Sequence, residues 1–395
     1  MPAAQPSWEI FLVAGEASGD RLGAALIRAL RERTGGTARF AGVGGPEMAA
    51  EGVASLFPID DLSIIGFSAI PARLPKILRL IGATAAAVVA RRPQVLVIID
   101  SPAFSCRVAK RVRAADPTIA IVEYVSPSVW AWRPSRAPAL RGYVDHILAL
   151  LPFEPEVHRR LGGPPCSYVG HPLATEVDEL RPNAAEARRR LAAPPVLLVL
   201  PGSRRGELKR LLAVFTQAVT LIAQRTEPLE VVIPTVPYLA DAIRSAAAQW
   251  PLTPRIVVDA ADKLAAMRVA RAALAKSGTV TLELALAGVP MVAAYKVSTL
   301  EYLVLGRSIR KRLPSVILPN LLLGENVVPE LLQQHCTAEG LAAALLPLLD
   351  DTPQRRRQIE AFARLDEIME IGARAPADRA ADIVLDAARR ALPSA

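Results

Sequence analysis

Short apolar runs that alternate with helix-like segments are the feature that most constrains the fold of this 395-residue chain. The runs are rich in β-branched residues, and the segments between them carry apolar residues at helical spacing. This alternation is typical of parallel sheets that are covered by helices on both faces. The runs expected to form strands are Ile10–Ala14, Val95–Ile99, Ile119–Val125, His146–Leu150, Val196–Leu200, Leu229–Ile233, Ile256–Val258, Ala272–Ala275 and Met291–Tyr295.

The pattern of strands breaks once, near the middle of the chain. There a polar stretch, Asp178–Asn183, leads into a helix-like segment, Ala184–Leu191. We therefore predict an α/β protein with two Rossmann-like domains, residues 1–175 and 176–370, and a cleft between them. The C-terminal residues 371–395 contain a further helix, which could return to the first domain or exchange between subunits.

Composition excludes several classes of protein. Hydrophobic residues make up 52% of the chain and charged residues 22%, which is ordinary for a globular protein. Three widely spaced cysteines predict neither disulfides nor a cysteine zinc site, and they favour a reducing cytosol. The N-terminus does not resemble a signal peptide, and no apolar window reaches the length of a membrane span. With four histidines and no HExxH spacing, we expect no metal site and no cofactor.

Two strand-to-helix turns in the second half of the chain are candidate phosphate sites. In the first, Gly202 and Ser203 offer backbone N–H groups at a helix N-terminus, and Arg204 adds a guanidinium. In the second, Ser277, Gly278 and Thr279 are small donors. Glu283 lies one helical turn further on, where it could accept hydrogen bonds from ribose hydroxyls. The alternatives are a solvated basic turn and an N-capped amphipathic helix, but two such turns in one domain favour a diphosphate-sugar donor.

In the first half, Asp100 follows a buried apolar run directly, which is where a general base would stand in an α/β domain. Its alternative role is to cap the helix that begins beyond Pro102. The turn Gly15–Asp20 joins the first strand to the first helix, and its small residues would let a ligand approach the backbone. A tight turn with a capped helix is the alternative for that segment.

Positive charge is concentrated between Leu62 and Ala115, which hold nine basic residues and one acid. A helix expected to begin at Pro75 carries apolar residues on one face. A basic amphipathic segment of this kind is typical of a membrane-surface contact, and the alternative is a core-packed helix with a solvated face. Nucleic acid is not expected as a partner, because no known binding module accompanies the charge. The residues assigned to the membrane or acyl-facing surface are Phe67, Ile77, Arg79, Ile81, Arg91 and Arg92, and a second basic group comprises Arg307, Arg310, Lys311 and Arg312.

Six segments of the chain resemble the lipid-A-disaccharide synthase family, and the resemblance extends from about residue 9 to residue 390. The most specific of them is the string VSPSVWAWR. The six segments are Val13–Asp20, Tyr124–Arg133, Leu151–Glu154, Val169–Pro172, Leu200–Arg204 and Leu318–Leu322.

The resemblance implies an inverting, metal-independent glycosyltransferase of the GT-B type that acts in lipid A and lipopolysaccharide biosynthesis. Such an enzyme joins UDP-2,3-diacylglucosamine to 2,3-diacylglucosamine 1-phosphate (lipid X) and releases UDP and a β-1,6-linked disaccharide 1-phosphate. It also implies a cytoplasmic protein, peripherally attached to the anionic inner-membrane surface of a Gram-negative cell. A homodimer is possible.

The resemblance also assigns residue roles. Asp100 would be the base that takes the proton of the acceptor 6-hydroxyl, and Arg204 would neutralise the UDP leaving group. Where the family usually has a second aspartate, this chain has Ala103, which leaves Asp100 as the single base. The remaining donor-site residues would be Gly202, Ser203, Ser277, Gly278 and Thr279 at the diphosphate, Glu283 at the ribose, and Asn320, Glu16 and Ser18 along the cleft.

Three aromatic or imidazole side chains keep two interpretations each. Trp130 and Trp132 could stack on sugar or pack in the core, and His171 could contact sugar or be a buried hinge residue. Two other functions remain as alternatives for the whole chain. A UDP-sugar epimerase would use the same diphosphate site with a soluble substrate, and a non-enzymatic peripheral membrane protein would use the basic helix alone.

Overall fold

A computed structural model describes residues 8–62, 70–226, 228–248, 250–297 and 314–391 of the chain. These residues form two compact units. The first unit comprises the residues up to 174 together with those from 372 onward, and the second comprises residues 175–371. The C-terminal segment therefore belongs to the first unit.

The first unit contains a six-stranded sheet in the order β2-β1-β3-β4-β5-β6, in which all neighbouring strands are parallel. Because the order reverses between β1 and β3, the topological switch point lies between these two strands. The strands are β1 (Glu9–Ala14), β2 (Arg39–Val43), β3 (Val95–Ile99), β4 (Ala120–Tyr124), β5 (His146–Ala149) and β6 (Cys166–Tyr168).

The second unit also contains a parallel six-stranded sheet, in the order β12-β11-β10-β7-β8-β9. Counted from β7, this is the Rossmann order 3-2-1-4-5-6, with its switch point between β7 and β10. The strands are β7 (Val196–Leu200), β8 (Glu230–Pro234), β9 (Arg255–Val257), β10 (Ala272–Lys276), β11 (Met291–Tyr295) and β12 (Glu330–Leu332).

Helices connect the strands and cover both faces of each sheet. Those of the first unit are α1 (Ala17–Arg33), α2 (Pro46–Ala50), α3 (Ile70–Arg91), α4 (Ser105–Ala115), α5 (Arg136–Leu140), α6 (Glu154–Leu161) and the C-terminal α17 (Pro376–Ala391). Those of the second are α7 (Val177–Leu180), α8 (Ala184–Leu191), α9 (Arg205–Ala223), α10 (Ala240–Ala247), α11 (Ala260–Val269), α12 (Val280–Leu286), α13 (Leu318–Leu323), α14 (Ala338–Leu349), α15 (Pro353–Ala363) and α16 (Leu365–Ile368).

The apolar runs of the sequence form the buried centres of the two sheets. Every residue of β3, β4 and β7 is buried, and alternate residues of β3 pack into two cores, one on each face of the first sheet. The prediction of an α/β chain with two Rossmann-like domains is confirmed. Strands β2, β6 and β12 were not predicted.

The C-terminal helix α17 packs against α1 and against the first sheet. Its residues Val384 and Leu385 join the core that contains β1. The guanidinium of Arg33 binds the carboxylates of Asp378 and Asp382 at 2.9 and 2.5 Å. These contacts lie within one unit, so α17 completes the first core.

Candidate active site

The two candidate phosphate loops follow β7 and β10, the strands that flank the switch point of the second sheet. Residues 201–204 connect β7 to α9, and residues 277–279 connect β10 to α12. Since β7 and β10 are hydrogen-bonded neighbours, both loops leave the same edge of the sheet side by side. Open α/β sheets bind their ligands at this position.

Gly202 is required by the geometry of the first loop. Its φ angle is +112°, and a Cβ atom there would lie 2.5 Å from Oε2 of Glu207. A side chain would therefore meet both backbone strain and a direct clash. The glycine brings the loop against the first turn of α9, where Glu207 is buried.

Glu207 collects four hydrogen-bond donors. Its Oε2 accepts the N–H groups of Ser203 and Arg204 at 3.2 and 3.3 Å, and its Oε1 lies 3.2 Å from Nη1 of Arg204 and 3.0 Å from Nζ of Lys276. Burial acts to raise the pKa of this carboxyl, but the ammonium of Lys276 and the guanidinium of Arg204 outweigh it and lower the pKa below its ordinary value. The backbone N–H of Ser203, expected to bind phosphate, instead binds this carboxylate.

A cavity of about 400 Å³ opens between the two loops. Six of the residues predicted for donor binding line it together. Glu283 lies on its wall with one carboxylate oxygen 2.6 Å from Nζ of Lys263. The lining residues are Leu200, Gly202, Ser203, Arg204, Glu207, Pro234, Thr235, Val236, Lys263, Lys276, Gly278, Thr279, Val280 and Glu283.

Two donor-binding residues predicted in the second unit do not line this cavity. Asn320 is buried, and its amide is used within the fold: Nδ2 donates to the carbonyl of Val328 and to Glu330, and Oδ1 accepts the N–H groups of Val327 and Val328. The prediction that Asn320 contacts the donor is wrong, because no hydrogen-bonding capacity is left for a ligand. Ser277 is also buried, and its hydroxyl lies 3.4 Å from the carbonyl oxygen of Val316, so its phosphate contact stays a prediction.

Sequence reasoning missed three charged residues of this cavity. Glu207 lies one turn into α9, Lys263 lies on α11, and Lys276 ends β10. The only signal for Lys276 was its position immediately before the donor-rich loop. Their ion pairs join segments that are distant in sequence, so spacing alone could not reveal them.

Asp100 lies at the switch point of the first sheet, directly after β3. It and Ser101 have φ angles of +50° and +48°, and Val125, which follows the neighbouring β4, has a φ of +82°. Left-handed backbone is costly for residues other than glycine and persists only where the surroundings enforce it. The N–H of Asp100 donates to the carbonyl of Tyr124 at 3.0 Å, and the hydroxyl of Ser105 donates to the carbonyl of Asp100. The side chain is half-buried, with Oδ1 accepting the N–H of Ser101 at 2.7 Å.

The turn after β1 packs directly on this strained segment. A Cβ atom on Gly15 would lie 2.4 Å from Cβ of Ser101, so only glycine allows the two loops to approach. Glu16 and Ser18 follow at the exposed start of α1. Asp20 is buried and accepts the N–H groups of Gly45, Glu47 and Met48, which holds the start of α2. The turn therefore places Glu16 and Ser18 at the carboxyl end of the first sheet, where Asp100 also lies.

A second carboxyl, Glu123, is fully buried in the strand next to Asp100. Its Oε1 accepts the Cys106 thiol at 3.6 Å, and its Oε2 has no hydrogen-bond partner. Burial raises the pKa of Glu123 to about 8, and the negative charge of Asp100 acts in the same direction. Glu123 therefore holds its proton at neutral pH.

The string VSPSVWAWR forms the segment after β4, and hydrogen bonds attach it to the start of α6. The indole N–H of Trp130 donates to Glu154 at 3.1 Å, and its ring meets Phe153 edge-to-face at 5.5 Å. Ser126 bonds His158 at 2.9 Å. Burial raises the pKa of Glu154 to about 7. These contacts join the two sequence segments Tyr124–Arg133 and Leu151–Glu154 into one structural group. Within it, Trp130 packs against Phe153 and Glu154.

The other two residues with open roles have local partners as well. Trp132 is half-buried and carries the Arg133 guanidinium over its ring at 5.1 Å. His171 accepts the N–H of Leu173 at Nδ1, and burial lowers the pKa of its imidazole to about 4. His171 is therefore uncharged at neutral pH.

Only part of the surface assigned to the membrane is exposed to solvent. Ile81 is 1% exposed and packs in the core beneath the first sheet, and Ile77 packs against that core. Their assignment as acyl-facing residues is wrong, because the apolar stripe of α3 covers the sheet instead. Pro75, moreover, lies inside α3 and does not begin it.

Other residues of this surface remain exposed. Arg79, Arg91 and Arg92 are exposed, as are the apolar side chains of Leu74 and Leu78. Phe67 and the second basic group at 307–312 lie outside the described residues. None of the helices that the structure describes is long and apolar enough to span a bilayer. Within the same residues, no three His, Cys, Asp or Glu side chains are grouped as metal ligands.

Solved structures with the same architecture define the fold class. MurG of Acinetobacter baumannii is 16% identical with a TM-score of 0.57, and it matches 96% of this chain and 100% of its own. The glycotransferase of kitacinnamycin is 17% identical with a TM-score of 0.61 over 98% and 99% of the two chains. A putative UDP-N-acetylglucosamine 2-epimerase from Listeria monocytogenes also has a TM-score of 0.61, at 13% identity over 94% and 99%. The fold is that of the GT-B glycosyltransferases.

Sequence relatives identify the family within this class. The family model described as lipid-A-disaccharide synthetase matches residues 10–384. Lipid-A-disaccharide synthases of Nitrobacter winogradskyi and Bradyrhizobium diazoefficiens are 59% and 57% identical, and they match 98% and 99% of this chain and 97% and 99% of their own lengths. The chain belongs to the lipid-A-disaccharide synthase family and is a glycosyltransferase.

Proposed function

We propose that this protein transfers 2,3-diacylglucosamine from UDP-2,3-diacylglucosamine to the 6-hydroxyl of 2,3-diacylglucosamine 1-phosphate. The products are UDP and a β-1,6-linked disaccharide 1-phosphate. The observation that carries the proposal is the cavity between the loops after β7 and β10, where cationic side chains and small-residue loops meet at a switch point. Membership of the family supports the choice of substrates.

The donor would bind in the second unit. Arg204 reaches the cavity with an exposed guanidinium, and Gly278 and Thr279 offer the close backbone approach that a diphosphate needs. The remaining carboxylate oxygen of Glu283 is suited to the ribose hydroxyls. Structures of the same fold support a UDP ligand, since a Neisseria meningitidis epimerase is described as bound to UDP-GlcNAc and Staphylococcus aureus MnaA as a UDP co-structure.

In the reaction, Asp100 would accept the proton of the acceptor 6-hydroxyl as that oxygen attacks the anomeric carbon. The new bond joins this oxygen to the carbon, and the bond from the carbon to the diphosphate oxygen breaks. UDP leaves with the electron pair, and attack from the opposite side inverts the configuration. The enforced left-handed backbone at Asp100 supports this role, because such strain is found where a side chain must be held for function.

We further propose that the exposed surface of α3 contacts an anionic membrane. Arg79, Arg91 and Arg92 would attract acidic headgroups, and Leu74 and Leu78 would enter the interface. The first unit would then receive the lipid acceptor, and the second would hold the nucleotide. This surface is the feature that a soluble-substrate epimerase would not need.

The direct test is incubation of the purified protein with UDP-2,3-diacylglucosamine and 2,3-diacylglucosamine 1-phosphate, followed by mass spectrometry. We expect a phosphorylated disaccharide and UDP in equal amounts. Incubation without the acceptor is the control. Formation of an epimerised UDP-sugar without the disaccharide would contradict the proposed reaction and support the epimerase alternative.

A further inference from the structure

Lys276 is a half-buried cation on the wall of an open cavity. Among the described lining residues, Arg204, Lys263 and Lys276 are cationic, and their side chains are 78%, 35% and 15% exposed. Taking an ammonium group out of water is costly unless it is paired. The partners of the Lys276 ammonium therefore decide whether it is available to a ligand of the cavity.

Two neighbours hold the Lys276 ammonium in place. It lies 3.0 Å from Oε1 of Glu207 and 5.1 Å from the centre of the Tyr295 ring. The carboxylate and the aromatic face both attract the ammonium group. The ammonium is consequently held at the end of β10, next to the loop of Gly278 and Thr279.

The ion pair with Glu207 does not exhaust the positive charge of the cavity. Glu207 is shared between Lys276, Arg204 and two backbone N–H groups, and Glu283 is paired with Lys263. Three cations thus face two carboxylates among the described lining residues. The cavity lining carries an excess of positive charge, which is suited to an anionic ligand.

We infer that Lys276 binds the donor diphosphate as a second cation beside Arg204, and that Glu207 is a positioning residue that holds both. This inference rests on the proposed function, because it takes the ligand of the cavity to be a nucleoside diphosphate. Arg204 supplies an exposed guanidinium that can close on the ligand, whereas Lys276 supplies a preformed point charge at the base of the site. When the bond to the anomeric carbon breaks, the charge that develops on the leaving diphosphate lies near both cations.

The test compares UDP with uridine, which lacks the phosphates, as ligands of the full-length protein. We expect Lys276→Met to weaken UDP binding by 10- to 100-fold in calorimetry and to change uridine affinity, measured by ligand-observed NMR, less than twofold. Lys276→Gln, whose shorter amide side chain places no charge in the site, is expected to give the same selective loss. Lys209→Met, an exposed lysine on α9 outside this cavity, is the matched control.

The outcomes separate the inference from the proposed function. If the unmodified protein binds UDP and both Lys276 variants bind it equally well, the assignment of Lys276 is overturned while the donor site stands. Equal losses for UDP and uridine would show a merely structural ion pair and would also overturn it. If the unmodified protein binds no UDP, the proposed function fails together with the inference.

Discussion

At the scale of single residues, the carboxyl ends of β3 and β7 concentrate the features that distinguish this chain from a plain α/β scaffold. Asp100 has left-handed backbone at one switch point, and Gly202 has positive φ at the other. The left-handed conformation costs Asp100 free energy, whereas glycine adopts a positive φ without a Cβ clash. The positions predicted from the sequence therefore include two with positive φ angles.

Replacing Asp100 by asparagine tests the base. Asparagine tolerates left-handed backbone and keeps the size of the side chain, so the fold is expected to persist. We expect turnover to fall by about 100- to 10,000-fold, as for loss of a general base, with UDP affinity unchanged. Steady-state kinetics and calorimetry measure the two quantities, and Asp60→Asn, at an exposed position of the same unit, is the control. Unchanged turnover would remove Asp100 from this role.

Arg204→Ala tests the exposed cation of the donor site. The side chain is 78% exposed, so its removal should leave thermal stability nearly unchanged. Loss of a charge-assisted hydrogen bond, worth roughly 1.5–3 kcal/mol, should weaken UDP binding by about 10- to 100-fold and slow turnover. Arg205→Ala, the adjacent exposed arginine that does not line the cavity, should bind UDP normally. Normal UDP affinity in the Arg204 variant would contradict the phosphate contact.

Glu123→Gln tests the buried acid through the pH dependence of stability. The folded pKa of about 8 lies above the unfolded value of 4.5, so the native state keeps a proton that the unfolded state has lost. Stability of the unmodified protein should therefore fall between these pH values, by up to about 1.4 kcal/mol per unit. Glutamine cannot titrate. We expect the variant to gain stability relative to the unmodified protein from pH 5 to pH 8 in urea unfolding, whereas a constant difference would refute the buried-acid assignment.

At the scale of elements, burial decides which face of a helix is free, and sequence spacing does not. The apolar stripe of α3 has the period of an amphipathic helix, which fits a core face and a membrane face equally well. Ile81 and Val88 are buried in the core, whereas Leu74 and Leu78 are exposed. Basic charge is consequently the stronger remaining indication of a membrane contact.

Substitution of Arg79, Arg91 and Arg92 by serine tests this surface. We expect less sedimentation with anionic phospholipid vesicles, and added salt should weaken binding of the unmodified protein in the same way. Serine at the exposed residues Arg188, Arg225 and Arg244 of the second unit removes equal charge and is the control. If both triple variants sediment alike, α3 is not the membrane contact.

At the scale of the whole molecule, the sequence was sufficient for the architecture and for the loops of the site. Central strands such as β3 and β7 are buried on both faces and therefore read as continuous apolar runs. The missed strands β2, β6 and β12 are all edge strands, and β6 and β12 have only three partly buried residues each. Edge strands bury less apolar surface, so their sequences carry a weaker signal.

The errors within the site have a common physical cause. Asn320 looked like a ligand contact, but tertiary neighbours use its whole amide. Lys276 looked unremarkable, but its partner Glu207 comes from a distant turn of the chain. Pairing between distant residues decides whether a polar group is available to a ligand, and a single sequence does not record that pairing.

The most direct test of the central claim is a crystal structure of the protein soaked with UDP. We predict the diphosphate between the loops after β7 and β10, within hydrogen-bonding distance of Arg204 and Lys276, and the ribose beside Glu283. Nucleotide bound elsewhere, or in this cavity with its phosphates turned away from both cations, would contradict the claim.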